Sequence, residues 1–312
     1  MIRLLLKKVI SLLLVLALMS ALAFMAVRFM PGDPIASMYG NKDVSDEVIL
    51  KVRAQYNLDK PVLEQYYIYM RDLLHGDMGL SYFYIGKPVT AVIGSGFKNT
   101  LSLVILAFPL VVLASIFLGC LSAYRKGRPT DKIINGVTVF ITAMPDVPLA
   151  TFLVLLLAVK LKIFPIAGWG SFKYMLLPAF FIALWPTLSL AKMIRSLIIE
   201  ESKKPYVYMA RTRGLSNRAV ITGEILPNIM LPVTTSLGMI FGHMLEGALI
   251  AELVFNIPGL GRLATDAIFR RDYPVIMGII LLATLIYTAI NYTVDILHLF
   301  LDPRIRQSDT DY

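Results

Sequence analysis

The sequence predicts an all-α polytopic membrane protein with six transmembrane helices and a small extracytoplasmic subdomain after the first of them. Three observations predict it. Of 312 residues, 57% are hydrophobic and 16% charged, with a mean hydropathy of +0.70, far from the usage of soluble chains. The apolar residues are gathered into runs of membrane-crossing length, unlike the weak alternation over roughly ten residues that marks a transmembrane barrel. The basic residues sit mostly at the ends of those runs, where membrane topology accounts for them. The net charge of +9 therefore gives no argument for nucleic acid, and no nucleic-acid partner is expected. The single cysteine, Cys120, lies inside an apolar run, which excludes a disulfide framework or a cysteine metal site.

Taken in order, residues 1–30 hold the first span. Val9 to Val27 is apolar, follows Arg3, Lys7 and Lys8, and is long enough to cross about 30 Å of hydrocarbon. Ala21-Leu22-Ala23 resembles a signal-peptidase site, but the apolar run continues past it, so an uncleaved span is expected. Residues 31–98 form the outer subdomain. Its eight acidic residues stand against seven Lys and Arg, and Pro31-Gly32-Asp33-Pro34 and His75-Gly76-Asp77-Met78-Gly79 are turn clusters. Ser45 to Leu58 reads as a short amphipathic helix, and a segment this small is expected to pack on the membrane part.

Five spans follow within 99–301. Asn99 to Ala123 is uninterrupted and ends at Tyr124-Arg125-Lys126-Gly127-Arg128. Ile133 to Val159 is interrupted by Pro145, Asp146 and Pro148, and Tyr174 to Ala191 is short and holds Pro178 and Pro186. Ile229 to Ala251 carries His243 and Glu246. Tyr273 to Leu301 carries Asp295 and His298, and 302–312 is a tail. Basic residues in short loops set the orientation. An inside N-terminus places sixteen of them in the cytoplasm, from Arg3 to Arg306, against six in the short outer loops. Both termini are then cytoplasmic, as is the loop at 200–228.

That loop is the wet stretch between greasy ones. Pro205 suits a first helical turn, Gly214 the positive-φ residue past a helix end, and Ser216 the cap of a second short helix. Tyr206, Met209 and Ala210 fall at i, i+3 and i+4, which predicts one apolar face on a cationic hairpin carrying Arg211, Arg213 and Arg218. Such a knob is suited to docking a cytoplasmic partner. A solvated topogenic loop and a helix-turn-helix reader are the alternatives.

No enzyme signature is present. The sequence lacks Gly-x-x-x-x-Gly-Lys-Ser/Thr, Gly-x-Ser-x-Gly and His-Glu-x-x-His, so energy must come from an ion gradient or from another subunit. Ionisable groups inside spans are the remaining candidates, because burying them in lipid is costly. Asp146 lies between two prolines, and His243 and Glu246 are i, i+3 neighbours. The three are expected either to line a polar pathway or to lock helices together; the pathway reading leaves an ion-coupled secondary transporter open. Asp295 and Glu252 are expected to be solvated at the membrane boundary. No metal ligand set can be assigned.

Motifs spread along nearly the whole chain carry a resemblance. They are Pro31-Gly-Asp-Pro34, Asn57-Leu-Asp-Lys-Pro61, Gly76-Asp-Met-Gly79 with Ser81 and Pro88-Val89, and Thr100-Leu-Ser-Leu103. Leu177-Pro178-Ala179, Glu252-Leu-Val-Phe255, Pro258-Gly-Leu-Gly261, Arg271-Asp-Tyr-Pro274 and Asp302-Pro-Arg304 follow. In these the chain resembles the first (B-type) permease of ABC importers of the dipeptide, oligopeptide and nickel class. The 205–228 stretch resembles that family's EAA loop, with Gly214 at its glycine and Leu226-Pro227 at its Leu-Pro. Tyr208-Met209-Ala210 stands at the triplet with only its last alanine matching, and Glu224 replaces an isoleucine.

The resemblance implies a type I ABC importer permease fold in a prokaryotic cytoplasmic (inner) membrane. It implies that Tyr206, Met209, Ala210, Arg211, Arg213, Gly214 and Leu215 dock on an ATPase. It also implies a second homologous permease, two ATP-binding subunits that hold ATP and Mg, and an extracytoplasmic solute-binding protein meeting 31–98 and 252–274. The chain itself would hold no cofactor and touch membrane lipid. Small peptides and nickel or its chelates stay open as substrates.

Overall fold

The computed structural model describes residues 2–30, 32, 34–39 and 45–301. Pro31, Asp33, the tail 302–312 and the side chains of Glu246, Asp295 and His298 lie outside the described residues. The described chain is helical, with an isolated antiparallel bridge between Leu80 and Pro88 as its single extended pairing. The first elements are α1 (Ile2–Phe29), α2 (Pro34–Tyr39), α3 (Asp46–Gln55), α4 (Val62–Leu74) and α5 (Val89–Tyr124). Next come α6 (Pro129–Ala143), α7 (Asp146–Leu153), α8 (Phe172–Glu201), α9 (Pro205–Thr212) and α10 (Asn217–Ala219). The last are α11 (Leu226–Val254), α12 (Leu260–Arg270) and α13 (Tyr273–Leu301). Two π-helical stretches, Val154–Lys160 and Val220–Ile225, prolong α7 and lead into α11.

Five helices are long and apolar enough to cross a membrane, and the bent pair α6 and α7 makes a sixth span if taken together. Several boundaries differ from the sequence expectation. The second span begins at Val89, ten residues before Asn99, and its 36 residues extend about 54 Å, more than the hydrocarbon needs. Residues 89–98, read from the sequence as the end of the polar segment, are therefore the first turns of α5. The fourth span is 30 residues long, Pro178 and Pro186 being accommodated inside α8. The third is not one rod. Pro145 removes a backbone donor after Met144, and the chain bends by 114° between α6 and α7. Three helices were not foreseen: the short α2, α4, which carries the tyrosines 66, 67 and 69, and α12 in the 252–274 segment.

Two compact units can be distinguished: Met1–Thr100 with Pro258–Ala289, and Leu101–Ile257 with Ile290–Tyr312. In the first, Phe24 of α1 packs against Tyr66 and Tyr69 of α4 at ring distances of 5.2 and 6.4 Å. The Arg28 guanidinium donates to the side chain of Gln65, whose own Nε2 donates to the Lys60 carbonyl at 2.7 Å. Buried Asp272 collects the 80–84 turn. It accepts from the Ser81 hydroxyl and from the backbone N–H groups of Tyr82 and Phe83 at 3.0 and 3.1 Å. Thr100 accepts from the Leu260 N–H at 2.8 Å, and Asn99 donates to the Pro258 carbonyl at 2.8 Å, which fixes the start of α12.

In the second unit α8 packs along α11, α6 lies against α8, and α7 against α11. Leu177, Phe181, Leu188, Ala191, Ile194 and Ile198 are among the buried residues of α8. Gly119 lets α5 approach that helix; a Cβ there would sit 2.7 Å from Ile194 Cγ2 and 2.9 Å from the Ala191 carbonyl. At one end of these helices Asp131 is buried and accepts a bidentate pair from Arg195, at 2.7 Å from Nε and 2.8 Å from Nη2. Glu252, expected to be solvated, is fully buried at 0% exposure on α11.

Candidate functional site

The hairpin between α8 and α11 is built as its residues dictate. Pro205 occupies the first turn of α9, where its missing N–H would have no partner. Gly214 has φ +81°, the left-handed conformation that a residue with a Cβ adopts at a cost. Its N–H donates to the Arg211 carbonyl at 2.9 Å, closing α9. Ser216 then caps α10, its hydroxyl accepting from the Ala219 N–H at 3.3 Å.

What holds this knob is a polar knot at its root. The Tyr206 hydroxyl donates to Glu201 Oε1 at 2.8 Å, Lys204 Nζ lies 2.8 Å from Glu201 Oε2, and Asn228 Nδ2 reaches the Tyr206 oxygen at 3.5 Å. The end of α8, the first turn of α9 and the first turn of α11 are thereby tied together. Burial, and then the bond to Glu201, push the Tyr206 phenol up to about 12.

The inward face of α9 differs from the sequence reading. Val207 and Ala210 are buried, at 0% and 4% exposure, and Tyr206 is half-buried. Met209, assigned to the apolar face by its spacing from Tyr206, points outward with 57% exposed, beside Tyr208 at 71%. Val207 and Ala210 offered an equally good i, i+3 pair in the sequence. Only the packing of α9 on the stretch Val220–Ile225 chose between them. Arg211, Arg213, Gly214 and Leu215 are all exposed. The outward surface is thus aromatic, thioether and guanidinium on a rigid base, a composition common where one protein seats on another.

The second candidate place is a cavity of about 160 Å³ among α7, α8 and α11. Asp146, the first residue of α7, and His243 of α11 both line it, with Phe181, Ile182, Trp185 and Met244 completing most of the wall. The fold thus brings together two ionisable residues almost a hundred positions apart. Glu246 is one turn further along α11, and its side chain lies outside the described residues. No group of three or more His, Cys, Asp or Glu able to hold a metal occurs among the described residues. The sequence reading missed the Asp131–Arg195 pair, since a charge near a loop is ordinarily solvated; an Asp in the first turn of a helix after Pro129 was the available signal.

The chain was compared with known proteins. The family described as binding-protein-dependent transport system inner membrane component matches residues 115–307, and its N-terminal counterpart matches residues 1–113. A dipeptide transport system permease protein (DppB) of Lactococcus lactis subsp. cremoris is 31% identical over 306 residues, covering 98% of this chain and 100% of that one. A glutathione transport system permease protein (GsiC) of Shigella flexneri serotype 5b is 34% identical over 300 residues, covering 96% and 97%. Among solved structures, the inward-facing MetNI methionine ABC transporter gives a TM-score of 0.58 at 12% identity, over 70% of this chain and 100% of that one. An amino acid ABC transporter gives 0.51 at 16% identity, over 67% and 94%.

Proposed function

The chain belongs to the binding-protein-dependent transport system inner membrane components, and from that premise we propose that it forms half of the translocation pathway of an ATP-driven importer of small peptides. A second homologous permease supplies the other half, two ATP-binding subunits hold ATP and Mg, and an extracytoplasmic solute-binding protein delivers the substrate. The relatives named above carry dipeptide and glutathione names, which favours peptide over nickel. Both termini lie in the cytoplasm in this reading, as the basic loops require.

The observation that carries the proposal is the anchored hairpin. A short helix buried on one side and exposed on the other, tied at its root to α8 and α11, moves with those helices as one body. Tyr206 and Ala210 seat it, Gly214 turns it, and Met209, Arg211, Arg213 and Leu215 meet the ATP-binding subunit together with Tyr208. Closure of the ATPase pair would then shift α8 and α11, which wall the cavity holding Asp146 and His243, and Glu246 lies one turn beyond. These three residues serve the pathway for a substrate with a cationic end.

The test is reconstitution into proteoliposomes with the partner permease, both ATP-binding subunits and the binding protein. Dipeptide uptake is expected only with all components and ATP. Uptake by this chain alone on an imposed ion gradient would establish the secondary transporter instead. Placing aspartate at both 208 and 209 should abolish uptake at normal membrane abundance, and normal uptake by that variant would remove the docking role.

A further inference from the structure

Beside the hairpin lies a groove that the importer function does not use. It has a volume of about 550 Å³ and runs along one face of α5. Leu113, Ile116, Phe117, Cys120 and Leu121 stand at i, i+3, i+4, i+7 and i+8, a continuous apolar stripe. Leu113 and Phe117 are 70% and 66% exposed, so the chain's own core does not cover it. The opposite wall is Ile221 and Leu226 of the hairpin's return. The stripe ends in cations. Arg125 follows Tyr124, and the Arg218 guanidinium lies 5.7 Å from the Tyr124 ring centroid.

Length and charge together select an occupant. From Leu113 to Tyr124 the stripe extends about 16 Å along α5, close to one leaflet's share of a hydrocarbon core about 30 Å thick. A partner helix crossing the bilayer would need an apolar face of the full thickness and no cation at its midpoint. One acyl chain with an anionic headgroup needs an apolar trough one leaflet deep and basic groups at the interface. In the chain Lys126 and Arg128 follow Arg125, and Arg211 and Arg213 precede Arg218 in the hairpin, whose cytoplasmic side is the one where anionic lipid attracts basic segments.

We propose that this groove is a binding site for an anionic phospholipid, the acyl chain lying along the α5 stripe and the phosphate between Arg125 and Arg218. Because one wall belongs to the stretch that returns from the hairpin to α11, the lipid braces the coupling element against α5. The inference rests on the cytoplasmic placement of that hairpin, and its test separates the two.

The complete transporter, assembled with its partner subunits in nanodiscs of phosphatidylglycerol and phosphatidylcholine in equal parts, is transferred to detergent, and retained lipid is counted by native mass spectrometry. Phosphatidylglycerol should be retained selectively. Placing alanine at both 125 and 218 should lower its retention about thirtyfold, as each basic residue near the surface is worth about fivefold. Lysine at both positions should restore most of it. Ile221→Trp, which fills the trough and leaves both arginines, should expel the lipid as well. Equal retention of phosphatidylcholine, or retention indifferent to these substitutions, overturns the site. So does cross-linking of a photoreactive residue at 117 to the partner permease with no lipid bound. Accessibility of a cysteine at 208 from each side of the membrane reports the hairpin's placement independently of any lipid.

Discussion

Asp131 shows what one residue can fix. Five donors converge on its carboxylate: the Ser122 hydroxyl at 2.5 Å, the Gly127 N–H at 2.9 Å, Asn135 Nδ2 at 2.8 Å and the two Arg195 nitrogens. It thereby joins the end of α5, the start of α6 and the C-terminal part of α8. Asp131→Ala leaves the Arg195 cation without its carboxylate, which should cost about 3–5 kcal/mol and appear as a lowered melting temperature of the detergent-solubilised protein. Asp272 does the same work for the 80–84 turn. Asp272→Ala should speed hydrogen exchange at the Tyr82 and Phe83 amides by at least about tenfold, since each loses its acceptor. Unchanged exchange there would show that the turn holds without it. Tyr206 adds a pH dependence. Its phenol is raised to about 12 from an ordinary value near 10. The bond to Glu201 therefore contributes fully below about pH 10 and is lost as pH rises through about 12. The alkaline rise in tyrosine absorbance should lose one component near about pH 12 in Tyr206→Phe, while the still higher components of buried Tyr69 and Tyr82 stay.

Helices are the next scale, and here packing overrules spacing. Ala210 and Met209 are neighbours in sequence and opposite in environment. Ala210→Arg should lower the amount of protein in the membrane, because it buries a charge, whereas Met209→Arg should leave that amount unchanged and lower uptake. Quantitative immunoblotting of membranes beside an uptake assay distinguishes the two. Glycines divide in the same way. Gly119→Leu must push α5 from α8 and should lower the melting temperature by several degrees, while Gly94→Leu, with open space around it, should not. The bend between α6 and α7 belongs to this scale too. Pro145 was legible as an interruption, but the 114° angle that places Asp146 at the head of a new helix follows from how α7 packs on α11.

For the molecule as a whole, the pathway reading turns on the cavity where Asp146 and His243 meet. Asp146→Asn keeps the shape and removes the charge. Uptake of a dipeptide with a free amino terminus should fall about tenfold, an unpaired charge contact being worth roughly 1.5–3 kcal/mol, with the melting temperature unchanged. A change in melting temperature with normal uptake would make Asp146 a structural residue. Much of this large-scale plan was readable in advance. Long apolar runs can only be spans, because a backbone in lipid must satisfy its own hydrogen bonds, and the turn chemistry of Pro205, Gly214 and Ser216 is local. The partnerships were not readable. Ser81 with Asp272 and Asp131 with Arg195 are bonded across 191 and 64 positions, Asp146 and His243 share one cavity wall across 97, and no periodicity reports such meetings.

By itself the sequence determined that the chain crosses a membrane about six times, where its polar hairpin lies, and which residues turn it. Each of those follows from hydrophobicity and backbone conformation within a few neighbouring residues. Only the tertiary structure decided that Val207 faces inward in place of Met209, that Glu252 is buried, and that the third span is broken into two helices. Those outcomes depend on which surfaces of distant helices meet, and a burial pattern that two helix faces satisfy equally well can be settled only by the neighbour that arrives.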